Sequence, residues 1–231
     1  MTHSMRDFLV LLACLVALAR PVQAGVDIRV AVAANFTATL EALAAVYEPA
    51  SGNRLVVSPG ATGALYSQIA NAGTEFVYAR GIPVLWSPQP DLIDEEASVL
   101  RSGRFRYLAI AEPRTAPYGA AARSVLEALA LWDTLERRQQ LVRGSSVAQT
   151  HSQVAGGAAD LGFVALAQVQ TAEGIPGSYW IPPPALYAPL TQGAVLLSSA
   201  RARSAARHFL RWLQTDAEAA AIIEAAGYRR D

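Results

Sequence analysis

Lysine is absent from the sequence, and cysteine and histidine are scarce, with one and three residues among 231. The 19 basic residues are therefore all arginines, and 19 acidic residues balance them to a formal net charge of zero. Because no long basic run is present, we expect no nucleic acid or other polyanion as a partner. The few histidines show no spacing typical of a metal site, so we predict no resident metal ion.

Long apolar runs are also missing, apart from FLVLLACLVALA at residues 8–19. Arg6 precedes this run and small residues follow it up to Ala24, a pattern typical of a secretory signal peptide. The run is too short for a membrane span, which needs about 20 apolar residues. We predict cleavage after Ala24 and a periplasmic location. The single cysteine, Cys14, lies inside the run; lipid attachment there is the alternative, but the apolar residues continue past it.

Short β-branched runs alternate with helix-like runs along the chain. Residues 28–34 predict a buried strand, and the apolar residues of 36–52 fall on one helical face. Such alternation is typical of an α/β fold with doubly wound, mainly parallel sheets. Two proline-bearing extended stretches, near 80–88 and 182–190, suit two lobes that the backbone crosses twice. We therefore predict a signal peptide at 1–24, a first lobe of 25–82 and 188–231, and a second lobe of 83–187.

Four predicted strands end in a small or polar residue at which a helix begins. In an open parallel sheet such turns lie beyond the carboxyl ends of the strands, where ligands bind. Helix starts expose unpaired N–H groups and the positive end of the helix dipole, so several of them aimed at one point bind an anion without a cation. Helix capping alone is the other explanation. The four turns are centred on Asn35, which we expect to cap its helix, on residues 60–63, on 117–119 and on 145–147.

An enzymatic reading uses Ser145 or Ser146 as a nucleophile with His151 as its base. Ser146 and His151 are five residues apart, off the i, i+4 face of a helix, and no G-x-S-x-G turn occurs. We therefore expect His151 to be a partly exposed helix residue. The sequence predicts no catalytic residue and no cofactor.

Several stretches resemble the periplasmic molybdate-binding proteins of ABC transporters, which are type II periplasmic binding proteins. They are VAVAANFTATLEALAAVYEPASG (30–52), SPGATGALYSQI (58–69), RYLAIAEPRTAPYGAAA (106–122), and residues 76–88, 161–169 and 208–228. The resemblance implies that molybdate or tungstate is held between two lobes by neutral donors and passed to a membrane permease. We expect a monomer. The implied contacts are the amide and backbone N–H of Asn35, the hydroxyl and N–H of Thr62, and the N–H groups of Tyr118 and Val147, with Gly119 keeping the approach open. Gly60 and Gly63 are expected to let the backbone come close to a ligand.

The chain departs from this family in two places. A strand and a helix that family members carry between the second helix and the FVYARG stretch are missing here. That strand is central in the family, beside the one that ends at Asn35, so its loss is expected to expose apolar edge and unpaired backbone. We expect weakened or absent binding unless residues 76–86 fill the vacant position. Some members also use a tyrosine hydroxyl where this chain has Ala165. Another anion, such as sulfate or phosphate, or a degenerate relative without a ligand, is the alternative.

Overall fold

The structure is a computed structural model that describes residues 25–68 and 76–230. The predicted signal peptide and Cys14 lie outside the described residues. Within the two ranges that the structure does describe, no helix is long and apolar enough to cross a membrane.

Strands and helices alternate along most of the chain, as predicted. The strands are β1 (Asp27–Ala33), β2 (Arg54–Gly60), β3 (Phe76–Gly81), β4 (Pro83–Ser87), β5 (Leu108–Ala111), β6 (Leu141–Gly144), β7 (Leu161–Ala165), β8 (Ser178–Trp180) and β9 (Leu190–Ala194). The helices are α1 (Thr37–Ser51), α2 (Thr62–Gln68), α3 (Ser98–Ser102), α4 (Pro117–Ala128), α5 (Trp132–Arg137), α6 (Val147–Ala155), α7 (Leu166–Val169), α8 (Arg203–Thr215) and α9 (Ala217–Ala225). Short 3₁₀ turns lie at Ala34–Phe36 and Pro184–Leu186.

The first lobe contains two separate two-stranded sheets. β1 pairs in parallel with β2, and β3 pairs antiparallel with β9. Both sheets share one apolar core with α1, α8 and α9. Leu40, Leu43 and Tyr47 of α1 point into this core, on the helical face that the apolar spacing predicts. Side-chain packing, rather than a continuous strand ladder, therefore joins the two halves of this lobe.

The second lobe contains one five-stranded sheet in the order β6-β5-β7-β4-β8. Strands β4, β5 and β7 are buried along their whole length, because apolar clusters cover both faces of the sheet. Successive residues of β5 alternate between these clusters: Leu108 and Ile110 pack on one face and Ala109 packs on the other. The second lobe therefore has one continuous sheet with apolar residues packed on both of its faces.

The backbone crosses between the lobes twice. β3 is followed directly by β4, with only Ile82 between them, and β9 returns the chain to the first lobe after the proline-rich stretch. The two-lobed α/β fold is the predicted class. Its strand pairs are not mainly parallel, because β4 runs antiparallel to both of its neighbours, β7 and β8, and β3 runs antiparallel to β9.

Two local expectations are corrected by the structure. Residues 76–86 do not fill a position beside β1, because β3 pairs with β9 and β4 pairs with β7 and β8. Among the described strands, β1 pairs only with β2, and its other edge has no strand partner. Asn35 does not cap α1; it lies in the 3₁₀ turn that precedes the helix, and its side chain donates to a distant residue instead.

Candidate functional site

One small pocket lies between the lobes, where the turns after strands of both lobes meet. Its walls come from the turn after β1 and from the starts of α2, α4 and α6. The cavity measures about 10 Å³, the room that a single water-sized group needs, which favours a compact guest over a sugar or a peptide. No charged side chain belongs to the described residues that line it. They are Ala34, Asn35, Ala61, Thr62, Ala116, Pro117, Tyr118, Ser146 and Val147.

All four residues that the sequence predicts as ligand contacts line this pocket, two from each lobe. Asn35, Tyr118 and Val147 are buried, with 6%, 5% and 5% of their surface exposed. Thr62 is exposed. The structure therefore brings the four together, while their contact with a ligand stays a prediction.

The second lobe offers backbone N–H groups to the pocket. Tyr118 is the second residue of α4, and Val147 is the first residue of α6. The N–H groups in the first turn of a helix have no intrahelical acceptor, and the helix dipole adds partial positive charge at the same place. Pro117 suits the first position of α4, because its ring fixes φ and it has no N–H to leave unpaired.

The first lobe offers a side-chain amide that is held from behind by Tyr228. Asn35 Nδ2 donates to Tyr228 Oη at 3.0 Å, and Tyr228 Oη donates to the backbone oxygen of Asn35 at 2.7 Å. Tyr228 follows α9, where Gly227 takes a positive φ of 85° that turns the chain back toward the core. The amide of Asn35 is therefore fixed at the edge of the pocket.

The exposed Thr62 begins α2, and its neighbour Gly63 touches the second lobe. A Cβ on Gly63 would lie 2.5 Å from the carbonyl oxygen of Thr115. Only glycine permits this approach of the two backbones across the pocket. The close approach observed at Gly63 is thus to the backbone of the other lobe, and the approach to a ligand that the sequence predicts there stays a prediction.

Gly119 serves packing within the second lobe. A Cβ there would overlap the carbonyl group of Ala111, the last residue of β5. The glycine lets α4 begin close against β5. This packing accounts for the glycine, and the open approach to a ligand that the resemblance implies at Gly119 stays a prediction.

Phenol rings pack behind the pocket, near the crossing between the lobes. Tyr118 packs with Val147 and Leu190, and its buried hydroxyl has no hydrogen-bond partner among the residues that the structure describes. That hydroxyl occupies the space that a side chain on Gly81 would need. Burial raises the pKa of Tyr118 well above its ordinary value and raises the pKa of Tyr228 to about 12. Both phenols are therefore neutral at physiological pH and bring no charge to the pocket.

Ser146 and His151 have separate structural roles. Ser146 Oγ accepts from the backbone N–H of Gln149 at 3.2 Å and so caps α6. The half-buried His151 ring stacks on Trp86, with ring centroids 5.3 Å apart, and burial lowers the pKa of His151. In the described part of the chain, no group of three or more His, Cys, Asp or Glu side chains could hold a metal ion.

Sequence reasoning missed the residues behind the pocket. Tyr228 lies 193 positions from Asn35, so no local spacing connects the two. Gln192 accepts a hydrogen bond from Tyr78 Oη at 3.2 Å and also lies near Tyr228, where it acts to lower the pKa of that phenol. The only feature of the sequence that could have indicated Tyr228 is its position shortly after the last apolar helix. Ala165, where some relatives were expected to carry a tyrosine, is fully buried and brings no hydroxyl.

Comparisons with known proteins agree with this architecture. Residues 28–76 and 70–229 match the family of bacterial extracellular solute-binding proteins. The molybdate-binding protein ModA of Azotobacter vinelandii is 40% identical over 228 positions, covering 87% of this chain and 89% of that protein. ModA of Rhodobacter capsulatus is 37% identical over 242 positions, covering 94% and 93%. The solved structure of the periplasmic molybdate-binding protein of A. vinelandii matches with a TM-score of 0.85 and 40% identity, over 88% of this chain and 99% of that one.

The alignments also support a shortened first lobe. Since 87% of this chain is about 201 residues, about 27 of the 228 aligned positions in the A. vinelandii relative have no counterpart here. The two segments that match the family overlap at residues 70–76, directly after α2. The sequence predicts the loss of a strand and a helix at this place, which agrees with the unpaired edge of β1 among the described strands.

Proposed function

This chain belongs to the bacterial extracellular solute-binding proteins, and from that premise we propose that it captures molybdate, or tungstate, and delivers it to an ABC permease. The observation that carries the proposal is the pocket itself. Helix starts from both lobes surround it, and no charged side chain is present among its described lining residues. Two relatives that bear the name of molybdate-binding proteins match most of the chain.

A pocket of this kind favours a fully ionised oxyanion. Four oxygens of a tetrahedral dianion accept hydrogen bonds from N–H and O–H donors pointing inward, and the helix dipoles supply the opposing charge. Phosphate keeps a proton near neutral pH and needs an acceptor for it. No carboxylate lies among the described lining residues, so protonated phosphate fits this pocket less well than molybdate.

The proposed mechanism is closure of two lobes around the guest. Asn35 and Thr62 stand on one side of the pocket, and Tyr118 and Val147 on the other, so a bound dianion joins the lobes. The contact of Gly63 with the backbone of Thr115 marks the closed arrangement. The permease then distinguishes the closed, loaded form from the open one. No bond is made or broken, so no catalytic group takes part.

The location and assembly follow the same proposal. Residues 1–24 act as a cleaved signal peptide, the mature chain works as a monomer, and the two crossings between the lobes provide the hinge. Binding outside the cytoplasmic membrane agrees with the solute-binding family to which the chain belongs.

A thermal-shift panel of oxyanions on the mature chain tests the proposed ligand. Molybdate and tungstate are expected to raise the melting temperature, because a ligand that binds only the folded state stabilises it by mass action. Sulfate should act weakly, and phosphate not at all. Asn35→Ala should reduce the shift strongly without abolishing it, whereas Ser152→Ala, an exposed change on α6, should retain the full shift. A larger rise in melting temperature with sulfate or phosphate would identify that anion, rather than molybdate, as the ligand. No rise with any anion would show that the chain is a non-binding relative.

A further inference from the structure

The hydroxyl of Tyr228 both donates a hydrogen bond to Asn35 and accepts one from it. Its partners are the backbone oxygen of Asn35, at 2.7 Å, and Asn35 Nδ2, at 3.0 Å. A carbonyl oxygen only accepts, so the phenol proton must point to it. The phenol oxygen is then left as an acceptor, and the side chain of Asn35 must present its NH₂ group there. This pair of bonds therefore selects one of the two flips of the amide.

The selected flip decides what Asn35 shows to the pocket. One Nδ2–H is used by Tyr228, and the second Nδ2–H remains as a donor. In the opposite flip, the amide oxygen would replace the NH₂ group and would repel an anion. We propose that Tyr228 is a positioning residue of the oxyanion site, which holds the Asn35 amide so that its free N–H donates to the bound anion. This inference rests on the proposed function.

The segment that carries Tyr228 is itself anchored at the crossing between the lobes. The backbone of Arg229 pairs with that of Arg80 in β3, with N–O distances of 2.7 and 3.0 Å. The Tyr228 ring packs edge-on against Phe36, with ring centroids 5.1 Å apart. Only 3% of Tyr228 is exposed. A phenol fixed on three sides can orient a neighbour without moving itself.

The first lobe has a particular need for such an anchor. Asn35 follows β1, which pairs on one edge only among the described strands. A central strand with two partners would hold the turn after it through backbone bonds. Here the chain end after α9 performs this task through side-chain bonds to Asn35.

Calorimetric titration with molybdate tests the role, using Tyr228→Phe to remove both bonds while keeping the ring. The dissociation constant should rise about tenfold, since hydrogen bonds to a buried group are lost. Tyr47→Phe is the matched control, because Tyr47 is equally buried in the first-lobe core and its Oη lies 3.0 Å from His208 Nδ1. This control should bind as the wild type does. In an Asn35→Ala background, Tyr228→Phe should have no further effect on binding.

Equal binding by wild type and Tyr228→Phe would overturn the inference. The same would follow if Tyr228→Phe raised the dissociation constant as much in the Asn35→Ala background as it does in the wild type. NMR of the wild type gives a second test that does not depend on a variant. Of the two Asn35 Nδ2–H signals, the one bonded to Tyr228 should stay in place on adding molybdate, and the other should shift. Shifts of both signals, or of neither, would contradict the inference. If the wild type itself binds no molybdate, the proposed function fails instead.

Discussion

In the second lobe, Tyr118 and Val147 stand at the starts of two helices that pack on a five-stranded sheet. In the first lobe, Asn35 follows a strand whose second edge has no partner among the described strands. The second lobe presents main-chain N–H groups, whose direction is set by the helices that carry them. The first lobe presents a side-chain amide, whose direction is set by Tyr228.

This difference shows how the candidate pocket is supported in the first lobe, where β1 pairs on one edge only among the described strands. The two halves of the first lobe are joined by a core of side chains from α1, α8 and α9. The last helix and the segment after it also reach the pocket through Tyr228. Contacts between residues far apart in sequence thus take over the role that neighbouring strands have in the second lobe.

The largest effect is expected from truncating a core side chain in each lobe, which compares the stabilities of the two lobes. Leu43 and Leu126 are each fully buried, one in the first-lobe core and one in the second. Truncation of either to alanine should cost about 2 to 5 kcal/mol of unfolding free energy. Because the sheets of the first lobe are discontinuous, scanning calorimetry should show a separate, lower transition for it. Leu43→Ala should lower that transition, and Leu126→Ala the upper one. A single transition that both variants shift equally would contradict the comparison.

An intermediate effect is expected where the lobes touch. In Gly63→Ala, the new Cβ would lie 2.5 Å from the Thr115 carbonyl oxygen, so the lobes cannot close fully. The affinity for molybdate should fall about tenfold or more, since each 1.4 kcal/mol of hindered closure is a factor of ten. The melting temperature without ligand should stay near that of the wild type. Gly119→Ala is the contrast, because its clash lies within the second lobe and should lower the melting temperature. Unchanged affinity in Gly63→Ala would show that closure does not involve this contact.

The smallest expected effect is on the unfolding free energy, when one ion pair in each lobe is removed. Burial tends to raise the pKa of Asp160, but its hydrogen bonds and charge interaction with Arg106 leave that pKa below the ordinary value. In the first lobe, the hydrogen bond from Arg54 lowers the pKa of Asp27. The Asp160 side chain is 15% exposed and that of Asp27 is 55% exposed. Solvent therefore screens the first-lobe pair more strongly.

Asp160→Asn should lower the unfolding free energy by up to about 1 kcal/mol near neutral pH, and Asp27→Asn by less. A carboxyl group whose pKa is lowered by folding stabilises the protein above its unfolded pKa of about 3.9 and loses this contribution as the pH falls further. Urea unfolding at neutral pH and near pH 3 measures both variants. The deficit of Asp160→Asn should shrink at the lower pH. A larger loss in Asp27→Asn would reverse the comparison.

Much of the fold followed from local pattern, because its strands and helices carry clear apolar periodicity. The face of α1 with Leu40, Leu43 and Tyr47 is one example. The orientation of β4 was not predictable in this way, because it depends on which sheet the chain enters after Ile82. The short helix α5 was also missed, since six residues give too little periodicity to detect.

The site was only partly accessible to sequence reasoning. The four pocket residues were found through a family resemblance, because helix starts with Asn, Ser, Gly or Pro are also ordinary caps. Ser146 illustrates this, as its side chain does cap α6. The packing of Gly119 on Ala111 and the hydrogen bonds of Tyr228 with Asn35 were missed, because only the folded chain brings these residues together.

Calorimetric titration of the mature wild-type chain with molybdate tests the central claim most directly, namely that neutral donors of both lobes hold a dianion in the shortened molecule. We expect saturable binding of one molybdate per chain, with a dissociation constant of about 1 μM or lower, near or below −8.2 kcal/mol. The absence of binding heat, together with an unchanged melting temperature at millimolar molybdate, would contradict the account.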